Sequence, residues 1–387
     1  MYYAAARTVL LFIAATQLAL ACESGYLIWI PRSQDADPLY RFVVQGKAGY
    51  IDRSGTVVIP PTFEAWGNGG GEFHSGLLET TDLSEGKYVD REGKRAFDKD
   101  FYFGWDFSEG LAGAMEEEEG LWGYLDSSGE FAISPRFSRD KELSSFSDGL
   151  ARIRVNRKYG YIDRNGDFVI EPRFLEAENF VEGMARVVVV GDGPCWYVGD
   201  GACGGVYLLP GGGTTEDEGV PTCKYTFVNK SGGLLKYHFD RVKDYGEGMA
   251  PARINDKWGY VDSEGRTVIK PSFDDAWPFS NGLARVWVRG KFGFIDTSGA
   301  YVKRPTFERA EDFADGLAPV EQTGYHFIDT RGVQAFPGRF AQASPFFKGV
   351  AHVQLFDIGE DGLSDVSRKF AYINTFGKVV FSYEDPR

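Results

Sequence analysis

The sequence predicts an all-β protein built as a tandem array of about nine three-stranded antiparallel units. A short motif, aromatic-hydrophobic-Asp-x-x-Gly, recurs along the 387 residues with only small variations. Apolar and polar residues alternate in the segments around it, which is typical of half-buried strands. The composition has 15% aromatic residues and 49 Gly but only 4 Met, which favours many short strands joined by tight turns.

The motif occurs nine times, mostly in steps of 33 to 38 residues, with two longer steps. A unit of this length cannot bury its apolar face alone, so neighbouring units must stack. The nine copies are Gly49–Gly55, Tyr88–Gly93, Gly123–Gly129, Gly160–Gly166, Phe227–Gly232, Gly259–Gly265, Gly293–Gly299, Phe327–Gly332 and Tyr372–Gly377.

Each unit is predicted to hold three strands, as the fourth copy illustrates. Gly149-Leu150-Ala151 opens an alternating strand, a polar turn follows, and a second strand ends at Asp163. An Asp side chain accepts from main-chain N–H groups two residues on, and the Gly tolerates positive φ, so Asp-x-x-Gly predicts a hairpin turn. The third strand runs into Pro172, which cannot donate to a ladder. The structural turn residues predicted in this way are Asp52, Gly55, Asp126, Gly129, Asp163, Gly166, Asp262, Gly265, Asp296 and Gly299.

The copy number bears on how the units are arranged. Closed propellers usually have four to eight blades, and nine copies exceed that range. The sequence therefore favours an open or superhelical array, with a propeller-like ring as the main alternative.

The repeat resembles the WG repeat family, also called the KWG repeat family. The resemblance rests on Lys-aromatic-Gly-Tyr-Ile-Asp-x-x-Gly followed by Val-Ile-x-Pro-x-Phe, and it is closest at Lys158-Tyr159-Gly160, Lys257-Trp258-Gly259 and Lys291-Phe292-Gly293. The first copy departs from the pattern, since Ala48 replaces the aromatic residue, and four other copies lack the leading aromatic-Gly pair. What the family implies is mainly architectural: it is widespread in bacteria, and its members mostly lack an assigned activity.

The N-terminus is predicted to be an export signal that occupies residues 1–21. Arg7 supplies a positive charge, an apolar segment follows, and Ala19-Leu20-Ala21 forms a small-x-small cleavage pattern. The apolar segment is short for a membrane span. Cys22 follows directly, and the preceding residues resemble a bacterial lipobox with its first two positions transposed. Lipidation of Cys22 and simple cleavage both remain open.

A Gly-rich and Cys-rich insertion at 191–223 separates two groups of repeats. Residues 22–190 hold the first four copies, and residues 224–387 hold the last five. Insertions in repeat arrays often form loops on the binding face, so Trp196, Tyr197 and Tyr207 are candidate binding residues. In an oxidising compartment two of the insertion's three cysteines would form a disulfide, and spacing does not choose the pair. The three are Cys195, Cys203 and Cys223.

Charge and motif content exclude several functions. The net charge is −14 with dispersed Lys and Arg, which argues against nucleic acid and against adsorption to anionic lipids, and leaves a lipid anchor as the one membrane link. The sequence contains no recognisable nucleophile, phosphate-binding or metal-ligand spacing, so we predict no enzymatic activity, no cofactor and no metal. Turn capping accounts for the recurring aspartates, and core packing accounts for the recurring motif tyrosines.

Two hypotheses of function follow. The first is a non-enzymatic protein of the bacterial envelope or exterior, located in the periplasm, on the outer membrane as a lipoprotein, or outside the cell. It would present an extended surface to another protein. The alternative is a carbohydrate- or peptidoglycan-binding module that uses exposed aromatic side chains.

The export hypothesis gives a first prediction. Mass spectrometry of the protein purified from its producing cells is expected to show a mature chain that begins at Cys22. An added diacylglycerol mass would assign a lipoprotein, and an unmodified Cys22 would assign a soluble exported chain. A mature chain that retains Met1 to Ala21 would contradict export.

Overall fold

In the computed structural model, Ser33–Val189 and Tyr225–Arg387 form one compact unit, and the fold belongs to it. The residues that the structure describes are 35–65, 71–80, 88–138, 141–189, 224–358 and 364–385.

Every regular element of the described residues is a β-strand, and the strands form nine small antiparallel sheets. We call these sheets blades 1 to 9 in chain order. Blade 1 contains β1 (Tyr40–Val44), β2 (Lys47–Ile51) and β3 (Val57–Glu64). Blade 2 contains β4 (Leu78–Glu79) and β5 (Tyr88–Val89). Blade 3 contains β6 (Phe103–Gly104), β7 (Leu111–Met115), β8 (Trp122–Asp126) and β9 (Phe131–Phe137).

The middle blades follow the same order of strands. Blade 4 contains β10 (Ala151–Val155), β11 (Lys158–Ile162) and β12 (Phe168–Phe174). Blade 5 contains β13 (Glu176–Ala177), β14 (Met184–Val189) and β15 (Lys224–Asn229). Blade 6 contains β16 (Arg241–Val242), β17 (Met249–Ile254), β18 (Lys257–Asp262) and β19 (Thr267–Phe273).

The last three blades complete the set. Blade 7 contains β20 (Asp275–Ala276), β21 (Leu283–Val288), β22 (Lys291–Asp296) and β23 (Tyr301–Phe307). Blade 8 contains β24 (Arg309–Ala310), β25 (Leu317–Glu321) and β26 (Tyr325–Asp329). Blade 9 contains β27 (Gln342–Ala343), β28 (Val350–Ile358), β29 (Ser364–Asn374) and β30 (Val379–Glu384).

A complete blade has four strands, which we name inner, second, third and outer; in blade 6 these are β16, β17, β18 and β19. The predicted tandem β-array is confirmed, with one motif copy at the end of each third strand. The structure adds the inner strand, which is only two residues long and pairs with the second strand, as Val242 does with Ala252. Two residues are too few to show a period in the sequence.

The core consists of nine apolar clusters, and each cluster is shared by two consecutive blades. Between blades 4 and 5, for example, Tyr161 and Phe174 pack with Phe180 and Val187. The Gly that directly precedes the motif tyrosine lies at the crowded crossing of the third and outer strands. A Cβ at Gly160 would lie 2.4 Å from the Ile170 carbonyl oxygen, so only Gly fits there.

The motif tyrosine adds a hydrogen bond between blades. The Tyr161 hydroxyl donates to the Glu178 carbonyl oxygen in the next blade at 2.7 Å, and the Tyr260 hydroxyl donates to that of Trp277 at 2.8 Å. Both tyrosine side chains are completely buried, so each aromatic ring packs in the core while its hydroxyl keeps a hydrogen-bond partner. In blade 7 the same position holds Phe294, which has no hydroxyl.

The array closes on itself, because blade 9 packs against blade 1. Tyr40, Phe42 and Val350 share one apolar cluster with Tyr372. The Tyr372 hydroxyl donates to the Arg41 carbonyl oxygen, and the Tyr40 hydroxyl donates to that of Phe347 at 3.1 Å. The open array that the copy number favoured is therefore wrong, and the propeller-like ring is the observed arrangement.

A second prediction tests the hydrogen bond between blades. Tyr161→Phe leaves the part-buried Glu178 carbonyl without its donor, so we expect the free energy of unfolding to fall by roughly 1 to 2 kcal/mol. Urea denaturation followed by fluorescence measures this. The matched variant Phe294→Tyr places a hydroxyl where blade 7 lacks one, and we expect an equal or higher unfolding free energy. A Tyr161→Phe protein as stable as the parent would contradict the assignment.

Candidate functional site

Two sets of turns lie on one face of the ring. The second strand of a blade begins directly after one turn and runs away from it, and the third strand returns to the same face and ends at the Asp-x-x-Gly turn. A contact between the two sets confirms the shared face: the Arg164 guanidinium in one Asp-x-x-Gly turn donates to the Glu109 carbonyl oxygen of the other set at 2.9 Å. We call this surface the turn face.

The turns that precede the second strands, which we call inner turns, are tight two-residue turns. Both central residues have positive φ, as at Glu109 (53°) and Gly110 (78°), which is the backbone of the hairpin turn that suits the strand twist. The inner turns of blades 2 to 9 are Ser75-Gly76, Glu109-Gly110, Asp148-Gly149, Glu182-Gly183, Glu247-Gly248, Asn281-Gly282, Asp315-Gly316 and Lys348-Gly349.

The polar residue of an inner turn accepts hydrogen bonds from the next inner turn. The Glu182 carboxylate accepts the main-chain N–H groups of Glu247 and Gly248, each at 2.8 Å. Asn281 accepts the N–H of Gly316 at 2.7 Å, so an amide oxygen serves the same purpose. The other links of this ladder join Asp35 to Gly76, Glu109 to Asp148 and Gly149, Asp148 to Gly183, Glu247 to Gly282, and Asp315 to Gly349.

This ladder links the inner turns of consecutive blades, so these turns lie side by side on the turn face. This ladder was not among the features predicted from the sequence. The signal that could have revealed it is the acidic residue before Gly-[Leu/Met], which recurs at Glu109, Asp148, Glu182, Glu247 and Asp315.

The Asp-x-x-Gly turns are held by their own aspartates. Asp296 accepts from the Ser298 hydroxyl at 2.6 Å and from the N–H groups of Ser298 and Ala300 at 2.9 and 3.0 Å. The Ser298 hydroxyl and these N–H groups hold the pKa of Asp296 below its usual value, against the opposing effect of burial. In blade 5, Asn229 accepts from Ser231 and Gly233 in the same geometry without a charge.

The turn face is electrostatically divided. In blades 4 and 5 the second residue of the Asp-x-x-Gly turn is a cation that reaches the acid of the preceding inner turn: Arg164 lies 4.0 Å from Glu109, and Lys230 pairs with Asp148. In blades 6, 7 and 9 that residue is Ser or Thr. Among the described residues, the exposed carboxylates of Glu182, Glu247 and Asp315 form no ion pair, so one sector of the face carries unneutralised negative charge.

The perimeter next to the turn face, which we call the rim, carries exposed apolar side chains at the starts of the outer strands. Blades diverge towards the perimeter, so both faces of an outer strand remain partly open to solvent there. Phe168 is 42% exposed and Val268 is 49% exposed. Further rim residues are Val57, Val58, Val169, Leu234, Tyr301, Val333 and Val379.

The titratable groups with perturbed pKa values are spread over separate blades. Burial, with the nearby Glu72 carboxylate, raises the pKa of Asp106 to about 6. Burial lowers the pKa of His326 to about 4, with Arg339 adding to the effect, and burial alone lowers that of His352 to about 4. Within the part of the chain that the structure describes, no group of three or more His, Cys, Asp or Glu side chains could hold a metal ion. The same residues contain no helix long and apolar enough to cross a membrane.

The predicted site residues divide into two groups. The structure places the predicted turn aspartates and glycines in Asp-x-x-Gly turns on the turn face, and it buries the motif tyrosines in the core. The other predicted features lie outside the described residues. These are the export signal at 1–21, Cys22, the insertion at 191–223, and its residues Cys195, Trp196, Tyr197, Cys203, Tyr207 and Cys223.

A family model described as a WG containing repeat matches the chain six times and covers half of it in total. Each match contains one motif copy; the second, eighth and ninth copies lie outside the matches. No curated protein matches the chain. The matched residues are 49–76, 122–159, 159–191, 225–258, 258–292 and 292–325.

Solved structures show a similar fold at low sequence identity. A eukaryotic initiation factor is 11% identical over 90% of this chain and 96% of its own, with a TM-score of 0.52. The computationally designed Ika8 protein is 10% identical over 72% of this chain and 85% of its own, with a TM-score of 0.39. Apo AztD from Citrobacter koseri is 8% identical over 90% and 95%, with a TM-score of 0.37. The first likeness supports the repeat architecture and nothing further.

A third prediction concerns acid stability. Because the pKa values of Asp52, Asp126 and Asp296 are lower in the folded chain, these groups stabilise it above the ordinary aspartate pKa of about 3.9. That stabilisation is lost as the pH falls through the folded-state values. We therefore expect the free energy of unfolding to drop below about pH 4.

The triple variant Asp52→Asn, Asp126→Asn, Asp296→Asn keeps the acceptor, as Asn229 does naturally, but does not titrate. Its unfolding free energy is expected to depend less steeply on pH between about 4 and 2.5 than that of the parent. Urea titrations at several pH values measure both slopes. Equal slopes would show that these turns do not contribute to acid denaturation.

Proposed function

Because the chain belongs to the WG repeat family, which is defined by a structural repeat, we propose that it is a non-enzymatic binding protein that presents its rim and turn face to another protein. The protein is an all-β repeat array whose blades depend on one another for their core. Such arrays offer extended surfaces built from many similar elements. Binding, rather than chemistry, is supported by the wide separation of perturbed titratable groups such as Asp106, His326 and His352, which lie on three different blades.

The observation that carries the proposal is the row of exposed apolar residues on the rim. The chain buries its motif aromatics almost completely, and yet it leaves Phe168, Val169 and Val268 each more than 40% exposed. Contiguous exposed apolar surface with a polar border is typical of protein interaction sites. The neighbouring turn face supplies such a border, since each Asp-x-x-Gly turn directly precedes an outer strand, as Asp163–Gly166 precedes Phe168.

The proposal places the protein in the bacterial envelope or outside the cell. The support is the N-terminal pattern of Arg7, an apolar segment and Ala19-Leu20-Ala21. A partner in the same compartment would then be an envelope or extracellular protein.

Carbohydrate binding is the second candidate. The fully buried motif tyrosines do not form its binding surface. It would depend on aromatic side chains exposed on separate blades, namely Tyr237, Tyr301 and Phe376. A glycan array and a pull-down with purified peptidoglycan distinguish it from protein binding.

A fourth prediction tests the rim. The immobilised protein is expected to enrich a specific partner from the envelope fraction of its producing cells. Replacement of Phe168 and Val169 by Ser removes apolar contact area at one point of the rim, and we expect affinity for that partner to fall by about tenfold or more.

The matched control is Leu121→Ser, which removes a similarly exposed apolar side chain from the opposite face. It is expected to leave partner binding unchanged. Equal loss in both variants would indicate a general effect on the fold, and full binding by the rim variant would exclude this part of the rim. Enrichment of no partner under any condition, together with retention on glycan, would favour the second candidate.

A further inference from the structure

The residue that directly follows the inner strand has a fixed place in the ring. Its N–H donates to the carbonyl oxygen of the third residue of the second strand. Its own carbonyl oxygen accepts the motif tyrosine hydroxyl of the preceding blade, where that blade has a tyrosine. We call this place the acceptor position. The acceptor positions of blades 2, 3, 6 and 7 are Gly71, Trp105, Lys243 and Trp277.

In blade 7, two cations lie against the tryptophan at the acceptor position. The Lys243 ammonium, which comes from blade 6, is 4.1 Å from the centroid of the Trp277 ring, and the Arg285 guanidinium is 4.4 Å from it. Lys243 also forms an ion pair with Asp275 at 2.7 Å. An aromatic ring and a carboxylate therefore hold an ammonium group together at this place.

Blade 3 has the same tryptophan but neither cation. Gly71 stands where blade 6 has Lys243, and Gly113 stands where blade 7 has Arg285. Trp105 packs directly on Gly113, since a Cβ there would lie 2.3 Å from the indole ring. Within the part of the chain that the structure describes, no lysine or arginine lies over the Trp105 ring.

The backbone does not require glycine at position 71. The φ of Gly71 lies outside the left-handed region, and among the described residues a Cβ there would meet only the Asp106 carboxylate, at 3.9 Å. In blade 6 the side chain of Lys243 extends from this place to Trp277. Glycine therefore leaves space beside Asp106 that a side chain could fill.

Asp106 gives this space a negative charge. Asp106 is exposed to solvent, and yet desolvation by the surrounding protein, together with the nearby Glu72 carboxylate, raises its pKa to about 6. A carboxylate that is accessible and also desolvated lies in a recess. No cation of the described residues forms an ion pair with Asp106. A cation bound in the recess would stabilise its ionised form.

We propose that the recess formed by Gly71, Trp105 and Asp106 binds a primary ammonium group that comes from outside the chain. The ammonium would contact the Trp105 ring and the Asp106 carboxylate, as the ammonium of Lys243 contacts a ring and a carboxylate in blade 7. The lysine side chain of a partner protein and a free aliphatic diamine both offer this group. The recess lies at the inner edge of blade 3, across the sheet from its outer strand, so the inference does not depend on the rim.

The test is a ligand-detected NMR titration of the mature full-length chain with a capped lysine amide and, separately, with cadaverine. A cation–π contact beside an exposed carboxylate is modest in energy, so we expect affinity in the millimolar range. The affinity is expected to fall as the pH drops through about 6, because protonation removes the charge of Asp106. The capped lysine with an acetylated ε-amino group is uncharged and is expected not to bind.

Two substitutions of Gly71 form a matched pair. Gly71→Lys gives blade 2 the side chain that blade 6 has at this place, and we expect probe affinity to fall by about tenfold or more because the new lysine occupies the recess. Gly71→Ala adds only a Cβ, for which there is room, and is expected to leave binding unchanged. Asp106→Asn is expected to weaken binding by about tenfold and to abolish its dependence on pH near 6. Circular dichroism checks that each variant folds.

Three results would overturn the proposal. They are a parent chain that binds neither probe at millimolar concentrations, equal binding by the Gly71→Lys and Gly71→Ala variants, and equal binding of the acetylated lysine. The probe that binds more tightly identifies the source of the ammonium, a protein lysine or a free diamine. Replacement of Phe168 and Val169 on the rim is expected to leave ammonium binding unchanged, so failure of this inference and failure of the rim proposal are distinguishable.

Discussion

The structure depends on the packing of each blade against the next. A blade of three or four short strands has two faces and too little apolar surface to bury alone. The shared cluster around Tyr161, Phe174 and Phe180 shows how the neighbour completes it. The motif tyrosine extends this dependence to hydrogen bonding, because its acceptor belongs to the next blade. Closing the ring gives the first and last blades a packed neighbour on each side, as the other blades have.

On the turn face, polar groups also link each blade to the next. Two-residue turns with positive φ present their N–H groups towards the preceding blade, and the acid of that blade accepts them, as Glu182 does from Gly248. The side chain that satisfies the neighbour also carries a charge. Where a cation such as Arg164 or Lys230 follows on the adjacent turn, the charge is neutralised; where Ser or Thr follows, it remains. The acids that hold neighbouring inner turns together therefore also determine the charge of the turn face.

At the perimeter of the ring, neighbouring blades pack less closely against each other. Divergence of the outer strands exposes apolar side chains such as Phe168 and Tyr301, and proline in most of these strands limits pairing with foreign strands. Interaction through side chains on the rim therefore relies on exposed apolar area.

The sequence by itself determined the all-β class, the nine units, the turn at each Asp-x-x-Gly and the membership of the WG repeat family, because these follow from local periodicity and turn chemistry repeated many times. It could not reveal the two-residue inner strands, which are too short to show a period. It also could not decide between an array and a ring. Closure rests on contacts such as that of the Tyr372 hydroxyl with the Arg41 carbonyl, 331 positions apart, and the ladder of inner turns joins residues about one repeat apart. Only the accumulated rotation of all the blades brings the Tyr372 hydroxyl to Arg41, and no local pattern encodes that sum.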